Sequence, residues 1–263
     1  MLETVPKRVL WCPEYYSKHS STQFGHASNL LQNYSFRGDE AILDIGCGDG
    51  KITATLANLV PEGRVIGVDS DAAALEFARK TFHTGTYKNL TFIQGDATEL
   101  DKLGDFDLIV SFSCLHYVQD QQAALTKIKN NLKKDGNIIL MLYRKCKAQW
   151  SALDKTSMDL RWQHYFENYD AGYYEYLPNS YQDMLNNVEL DRFKAIFTPE
   201  ETISYENVEK FTNFITGWLP HLNILPQQHH SEFLDLFKTE YFNNLNIPQH
   251  GIINIPFMRL VVT

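Results

Sequence analysis

The chain has 263 residues, 44% of them hydrophobic, enough to bury a sizeable core and in the range of a single α/β domain. Asp and Glu number 32 against 24 Lys and Arg, a formal charge of -8 with no like-charged run; this disfavours a nucleic-acid partner, because phosphate binding needs a clustered basic face. Cys12, Cys47, Cys114 and Cys146 form no CxxC pair, and neither a signal-peptide core nor eighteen consecutive apolar residues occurs. Zinc, a disulfide framework, secretion and membrane spanning are therefore disfavoured, and a cytoplasmic location is expected.

Residues 1–39 are read as an N-terminal helical cover. From Glu40 onward, short β-branched apolar runs alternate with longer amphipathic stretches, the pattern of βαβ units and a parallel sheet. A strand over Ala41 to Ile45 runs into a glycine loop and a helix, Lys51 to Leu59, with Ile52, Leu56 and Leu59 at helical spacing. A strand from Arg64 to Val68 ends at Asp69, and the helix from Ala72 to Thr81 carries Leu75 and Ala78 inward. A third strand, Leu90 to Gln94, closes on Gly95 and Asp96. The fourth, Asp107 to Phe112, is apolar enough to be buried on both faces. A helix from Gln121 to Leu132 is expected to stop at Lys133 to Gly136, and a fifth strand covers Asn137 to Leu142.

After Tyr143 the alternation fails and aromatics crowd the chain as far as Tyr181, which is read as a helical insertion over the carboxyl edge of the sheet. A short helix (Tyr181 to Val188) and a strand (Arg192 to Phe197) resume the sheet. A helical piece from Glu206 to Phe242 precedes a last strand, Phe257 to Val262. The expectation is one α/β domain over 1–263, a doubly wound, mostly parallel seven-stranded sheet. It has a cofactor-binding core at 40–143 and helical substrate-lid insertions at 144–190 and 206–250.

The loop DIGCGDG, Asp44 to Gly50, follows a strand and opens a helix, so its backbone N–H groups face outward at the positive helix end. A dinucleotide fingerprint reads GxGxxG. Here an acid stands two residues before Gly46, and Gly48 and Gly50 follow, giving acid-x-Gly-x-Gly-x-Gly; such a turn also occurs with no ligand at all. Asp69, in IGVDSD, is placed to accept both hydroxyls of a ribose, or else to cap the helix at Ala72, a task open equally to Ser70 or Asp71. Asp96, in QGDA, can accept an adenine amino group while the Ala97 N–H donates to the ring, or it can make a surface turn. Three acids ending three successive strands at one edge point to a single site in an open α/β sheet.

From Glu40 to Leu142 the chain resembles class I methyltransferases, whose Rossmann-like sheet binds S-adenosylmethionine through the acid-x-Gly-x-Gly-x-Gly loop. The stretch SFSCLHYVQDQQAAL resembles insect juvenile hormone acid methyltransferases, and FTNFITGWLPHL through IPFMRLVVT is similar to bacterial trans-aconitate methyltransferases; both esterify carboxylates. The resemblance implies S-adenosyl-L-methionine as donor and S-adenosyl-L-homocysteine as product. It implies cofactor contacts at Asp44, Gly46, Cys47, Gly48, Asp69, Ser70, Asp96 and Ala97, with Ser113 and Leu115 near the sulfonium through backbone atoms. YSKHSSTQ is similar to a segment that folds over the cofactor, which implies Gln23 as a ligand of the methionine carboxylate; an ordinary helix start is the other reading.

Methyl transfer from a sulfonium is an in-line displacement that asks for alignment and exclusion of water. A carboxylate acceptor is ionised at neutral pH and needs no base. His116 and Tyr117, just after the fourth strand, are the candidates for positioning the acceptor, with His116 alternatively a base for a phenol or amine, or a packed residue. Tyr143, Trp150, Arg161, Trp162 and His164 are candidate acceptor-pocket residues, aromatics as walls and Arg as a carboxylate fork, with plain packing as the alternative for each. Arg144, Lys145 and Lys147 either attract an anionic substrate or form a solvated turn.

The expected partner is a small carboxylic acid, apolar or polycarboxylic, with no metal, nucleic acid or membrane, on a monomer or homodimer. Methylation of a phenol, an amine or a carrier-bound acid stays open. So do a nicotinamide-dependent oxidoreductase, against which the glycine spacing and Asp44 argue, and a non-catalytic cofactor-binding protein.

Overall fold

The computed structural model describes residues 12–83 and 85–263, so the first part of the expected N-terminal cover lies outside the described residues. Two compact units are present. The first holds residues 12–19, 145–171 and 202–256; the second holds 20–144, 172–201 and 257–263.

The second unit is built on β1 (Ala41–Ile45), β2 (Arg64–Asp69), β3 (Leu90–Gln94), β4 (Phe106–Phe112), β5 (Leu132–Tyr143), β6 (Ala195–Phe197) and β9 (Arg259–Val262). The order across the sheet is β3-β2-β1-β4-β5-β9-β6. Strands β1 to β5 pair in parallel, whereas β9 runs antiparallel to both β5 and β6. The order reverses between β1 and β4, which places a crevice at their carboxyl ends.

Period-two alternation decides which side chains enter which layer. Ile42, Val65, Leu108 and Val110 pack with Ala27, Ala54, Leu56, Leu75 and Ala78 on one face. Leu43, Ile45, Ile109 and Leu140 pack with Ala124, Leu125, Ile128, Tyr181 and Leu185 on the other. The first face is covered by α2 (Ser21–Leu31), α3 (Lys51–Leu59) and α4 (Ala72–Thr81), the second by α5 (Gln121–Asn131) and α7 (Pro178–Asn187). Each fully buried Leu or Ile contributes about 1.5–3 kcal/mol.

Several boundaries differ from the expected ones for identifiable reasons. Helix α5 ends at Asn131, one residue before the expected Leu132: the buried Asn131 side chain accepts from the Leu103 N–H at 2.7 Å and donates to Asp101 O and Lys127 O. Leu132 already pairs with Phe106, and the register then shifts to Leu108 opposite Asn137, so Lys133 to Gly136 form an irregularity inside β5. A Cβ on Gly136 would stand 2.7 Å from Phe106 O, which explains a glycine there. Strand β6 begins at Ala195, not Arg192, because the Arg192 guanidinium donates to Gly136 O and Phe193 turns into the core.

The first unit contains α1 (Pro13–His19), α6 (Lys147–Ser157), α8 (Val208–Thr216), α9 (His230–Leu245) and most of a two-stranded sheet, β7 (Glu201–Tyr205) with β8 (Ile253–Phe257). Helix α6 packs on α9, with Lys155 and Glu240 paired at 2.6 Å, and Tyr15 of α1 donates to Asn213 of α8 at 3.0 Å. The helix expected from Glu206 to Phe242 is broken: Pro220 and Pro226 lack an N–H, and 3-10 turns at Pro220–Asn223 and Gln227–His229 separate α8 from α9. The β7–β8 pair was not anticipated, and the last strand is interrupted at Met258 between β8 and β9. Residues 172–190, expected within the first helical insertion, belong to the unit of the sheet.

Candidate functional site

The glycine loop leaves β1 with three glycines in the left-handed region: Gly46 at φ 76, Gly48 at φ 53 and Gly50 at φ 79. At Gly46 the lack of a side chain is also a packing requirement, since a Cβ would meet Cys114 Sγ at 2.2 Å. The loop is tied to the next strand by Gly46 N–H and Cys47 N–H, both donating to Val68 O at 2.7 and 3.0 Å. Asp44 is buried beneath it and accepts from the Thr53 hydroxyl at 2.7 Å. Desolvation, opposed by that hydrogen bond and reinforced by the Asp69 and Asp49 carboxylates, pushes Asp44 up to about 7. Cys47 is buried, and its thiol is pushed up by desolvation.

Asp69 closes β2 and reaches back to this loop. Its Oδ2 accepts from Gly48 N–H at 2.8 Å and its Oδ1 from Asp71 N–H at 2.9 Å. The cap of α4 is Asp71, which accepts from the Ala73 and Ala74 N–H groups, so Asp69 is not spent on that task. Ser70 follows directly, its carbonyl accepting from Gln94. Asp96, after β3, accepts from the N–H and hydroxyl of Thr98, a local turn, while Ala97 is buried in the core.

The third element is the turn after β4. Ser113 adopts φ 58, a strained conformation for a residue with a side chain, with its N–H donating to Met141 O at 3.0 Å. Its Oγ is buried and has no hydrogen-bond partner among the described residues. Leu115 buries its side chain in the core and therefore offers only backbone outward. Gln121 pins the turn from beneath, donating to Leu115 O at 2.6 Å and Val118 O at 2.7 Å while accepting from the Tyr181 hydroxyl at 2.8 Å. From the other side Tyr174 N–H donates to His116 O, and the Tyr176 hydroxyl to Val118 O.

His116 and Tyr117 come together with Tyr173 and Tyr143: the His116 ring lies 4.5 Å from Tyr117, 4.6 Å from Tyr173 and 6.0 Å from Tyr143, between centroids. Burial lowers His116 to about 3, so the ring is neutral at pH 7. Its Nδ1 accepts from the Tyr143 N–H at 3.3 Å, which leaves the proton on Nε2. The edge of the His116 ring that carries Nε2 is therefore a hydrogen-bond donor.

Gln23 of α2 is buried, with an Oε1 that has no partner among the described residues. One turn further on, His26 is buried between Tyr143 (Nδ1 to hydroxyl, 2.6 Å) and Glu201 (Nε2 to Oε1, 2.7 Å), and Arg259 Nη2 meets the same Glu201 oxygen at 2.8 Å. None of His26, Glu201 and Arg259 was singled out from sequence. They come from three separated segments, and no local motif marks them.

The remaining acceptor candidates lie in the first unit. Trp162 is fully buried, with its indole N–H donating to Thr156 O at 2.7 Å. Arg161 is exposed, its guanidinium forked onto Asp159 and also paired with Glu232. His164 is exposed beside Tyr165, and Trp150 packs near His221 with Lys145 Nζ 4.5 Å over its ring. Arg144, in the second unit, pairs with Glu175 at 2.9 Å and lies over the Phe197 ring. Among the described residues no cluster of His, Cys, Asp or Glu could hold a metal, and no helix is long and apolar enough to cross a membrane.

A family model described as a methyltransferase domain matches residues 37–189. The chain is 28% identical to protein 235L of Invertebrate iridescent virus 6 over 236 residues, covering 89% of this chain and 86% of that one. It is 26% identical to a trans-aconitate 2-methyltransferase of Enterobacter sp. (strain 638), covering 95% and 96%. To the juvenile hormone acid O-methyltransferase of Drosophila melanogaster it is 25% identical, covering 76% and 70%. Two solved structures share the fold. The YcgJ protein of a Bacillus species has TM-score 0.60 and 16% identity, covering 90% of this chain and 98% of that one. Phosphoethanolamine N-methyltransferase 2 of Haemonchus contortus, solved with S-adenosyl-L-methionine, has TM-score 0.58 and 15% identity, covering 95% and 56%. The chain belongs to the methyltransferase-domain family and is an S-adenosylmethionine-dependent methyltransferase.

Proposed function

We propose that the protein methylates a carboxylate oxygen of a small, apolar or polycarboxylic acid, and that the cofactor is cradled by Gln23, the loop Asp44 to Gly50, Asp69, Ser70, Asp96, Ala97, Ser113 and Leu115. The residues fit that cofactor. Gly46 and Gly48 hold the loop at positive φ, with a Cβ at Gly46 meeting Cys114, Asp69 and Asp96 present carboxylates suited to hydroxyl and amino groups, and Gln23 holds a buried acceptor that a ligand ammonium would satisfy. When bound, S-adenosylmethionine supplies an electrophilic methyl on a cationic sulfur, and its C–S bond breaks as the acceptor's bond to carbon forms.

The observation that carries the acceptor class is the tautomer of His116. A neutral imidazole whose Nδ1 is committed to the Tyr143 backbone can donate from Nε2 to a carboxylate but cannot act as a base for a phenol or an ammonium. Positioning an anion that is already ionised requires no more than this, with Tyr117, Tyr143 and Tyr173 excluding water around it. The names of two similar proteins, acting on trans-aconitate and on juvenile hormone acid, support the same reading. The test is incubation of purified protein with methyl-labelled S-adenosylmethionine and a panel of isoprenoid, fatty and tricarboxylic acids, phenols and amines. Base-labile label on the acids is expected. Base-stable label alone would reject carboxylate methylation.

A further inference from the structure

Lys51 is the first residue of α3, directly after Gly50, and its place there is electrostatically unfavourable. A helix N-terminus carries partial positive charge, which favours an acid and works against an ammonium. The half-buried side chain meets three groups. Its Nζ donates to Ser20 Oγ at 3.4 Å, stands 4.0 Å from the carboxylate of the buried Asp49 and lies 5.8 Å from the centroid of the Phe24 ring.

Ser20 departs from its usual role in the same contact. It occupies the N-cap position of α2, where a serine hydroxyl ordinarily accepts from an N–H of its own helix. Here it makes no such bond, and the buried side chain accepts from Lys51 instead. Neither residue is chosen for the helix it begins: Lys51 opposes the dipole of α3, and Ser20 leaves α2 without a side-chain cap. What they do is join α2 to the first turn of α3, all within the unit of the sheet.

The join falls on one particular face. Ser20, Gln23 and Phe24 stand at i, i+3 and i+4, so they share a side of α2. Lys51 engages the first and the last of them, and Gln23 lies between, buried, with an Oε1 that has no partner among the described residues. At the other end Asp49 accepts from the Lys51 backbone N–H at 3.1 Å, which holds the root of the side chain to the glycine loop. Resting on the methyltransferase reading, in which Gln23 is a cofactor ligand, we propose that Lys51 is a positioning residue. It fastens the Gln23 face of α2 to the glycine loop and so sets the Gln23 amide at the cofactor site. A compact ammonium on a flexible stem suits the task, since it can face a hydroxyl, a carboxylate and a ring at once.

The test variant is Lys51→Met, which keeps the stem and removes the charge and the donors. In the cofactor-free protein, amide exchange over residues 21–26 is expected to quicken about tenfold, while α3 and the rest of α2 keep their protection. Titration calorimetry should show S-adenosylmethionine and S-adenosylhomocysteine weakened alike, by about fivefold, because Gln23 is read as a ligand of the part they share. In a Gln23→Ala background, itself weaker for both ligands, adding Lys51→Met should cost less than about twofold more. If thermal melting shows Lys51→Met to be misfolded, Ser20→Ala removes the hydroxyl acceptor and carries the same comparison with a smaller effect. A full fivefold loss in the Gln23→Ala background would overturn the proposal by making Lys51 a ligand in its own right. Unchanged exchange over 21–26, a uniform rise through α2 and α3, or unaltered affinity would overturn it too. Wild-type protein that binds neither ligand would instead reject the methyltransferase reading on which the proposal rests.

Discussion

At the scale of single residues, the site depends on positions where a side chain is forbidden and on one where a charge is held out of water. Gly46→Ala puts a Cβ 2.2 Å from Cys114 Sγ at a backbone angle of φ 76. A cost of about 2–4 kcal/mol is expected from strain and overlap together, read by denaturant unfolding, with loss of cofactor binding in the same variant. Asp44 gives a pH-dependent prediction. Its carboxyl titrates near 3.8 when unfolded and about 7 when folded, so the folded chain keeps a proton that the unfolded chain releases. The stability this provides is present at acid pH and lost as pH rises through about 7. Asp44→Asn should therefore gain in melting temperature relative to wild type as pH rises from about 4 to about 7, with the gain levelling off above that. A gap that is constant with pH would show that Asp44 is not buried as described. The acids and glycines were legible in sequence because each stands at the end of an apolar run. The strain at Ser113 was not, since SFSC carries no glycine or asparagine to announce φ 58.

At the scale of elements, the turn Ser113 to Val118 owes its shape to side chains outside it. Gln121 satisfies the carbonyls of Leu115 and Val118 from the first residue of α5. Gln121→Leu removes one donor from each carbonyl, leaving Val118 N–H on Leu115 O and the Tyr176 hydroxyl on Val118 O, and strands the buried Tyr181 hydroxyl, an expected loss of about 1–3 kcal/mol. Faster amide exchange over residues 113–118 and a roughly tenfold lower methyl-transfer rate should accompany it. Strands β1 to β4 and helices α3 and α4 were readable within a residue or two, because continuous apolar runs and 3.6-residue spacing describe elements buried between layers. The 201–257 region was not. Its helix is broken by two prolines whose positions mark interruptions without giving the lengths between them, and β7 and β8 find each other across nearly the whole segment. The Tyr143–His26–Glu201–Arg259 chain escaped for the same reason, since pairings between distant segments leave no spacing to read.

At the scale of the whole molecule, two units share one chain that passes between them at residues 19–20, 144–145, 171–172, 201–202 and 256–257. Ligand linkage offers the simplest test of the cofactor. S-adenosylmethionine at a hundredfold excess over its dissociation constant should stabilise the protein by about 2.7 kcal/mol, seen as a rise in melting temperature. An equal excess of NAD should leave the melting temperature unchanged, and stabilisation by NAD alone would point back to dinucleotide chemistry.

The position of β9 has a consequence for how the protein is made. It lies between β5 and β6 yet follows both in the chain. A ribosome delivers both neighbours before it delivers the strand that joins them. Until Arg259 to Val262 emerge, the growing polypeptide presents β5, with its apolar run Ile138 to Leu142, as an open sheet edge. Such an edge is a template for pairing with other nascent chains. Overexpression should expose this as chaperone-dependent solubility, and the completed chain removes the hazard by inserting a strand that runs against its neighbours.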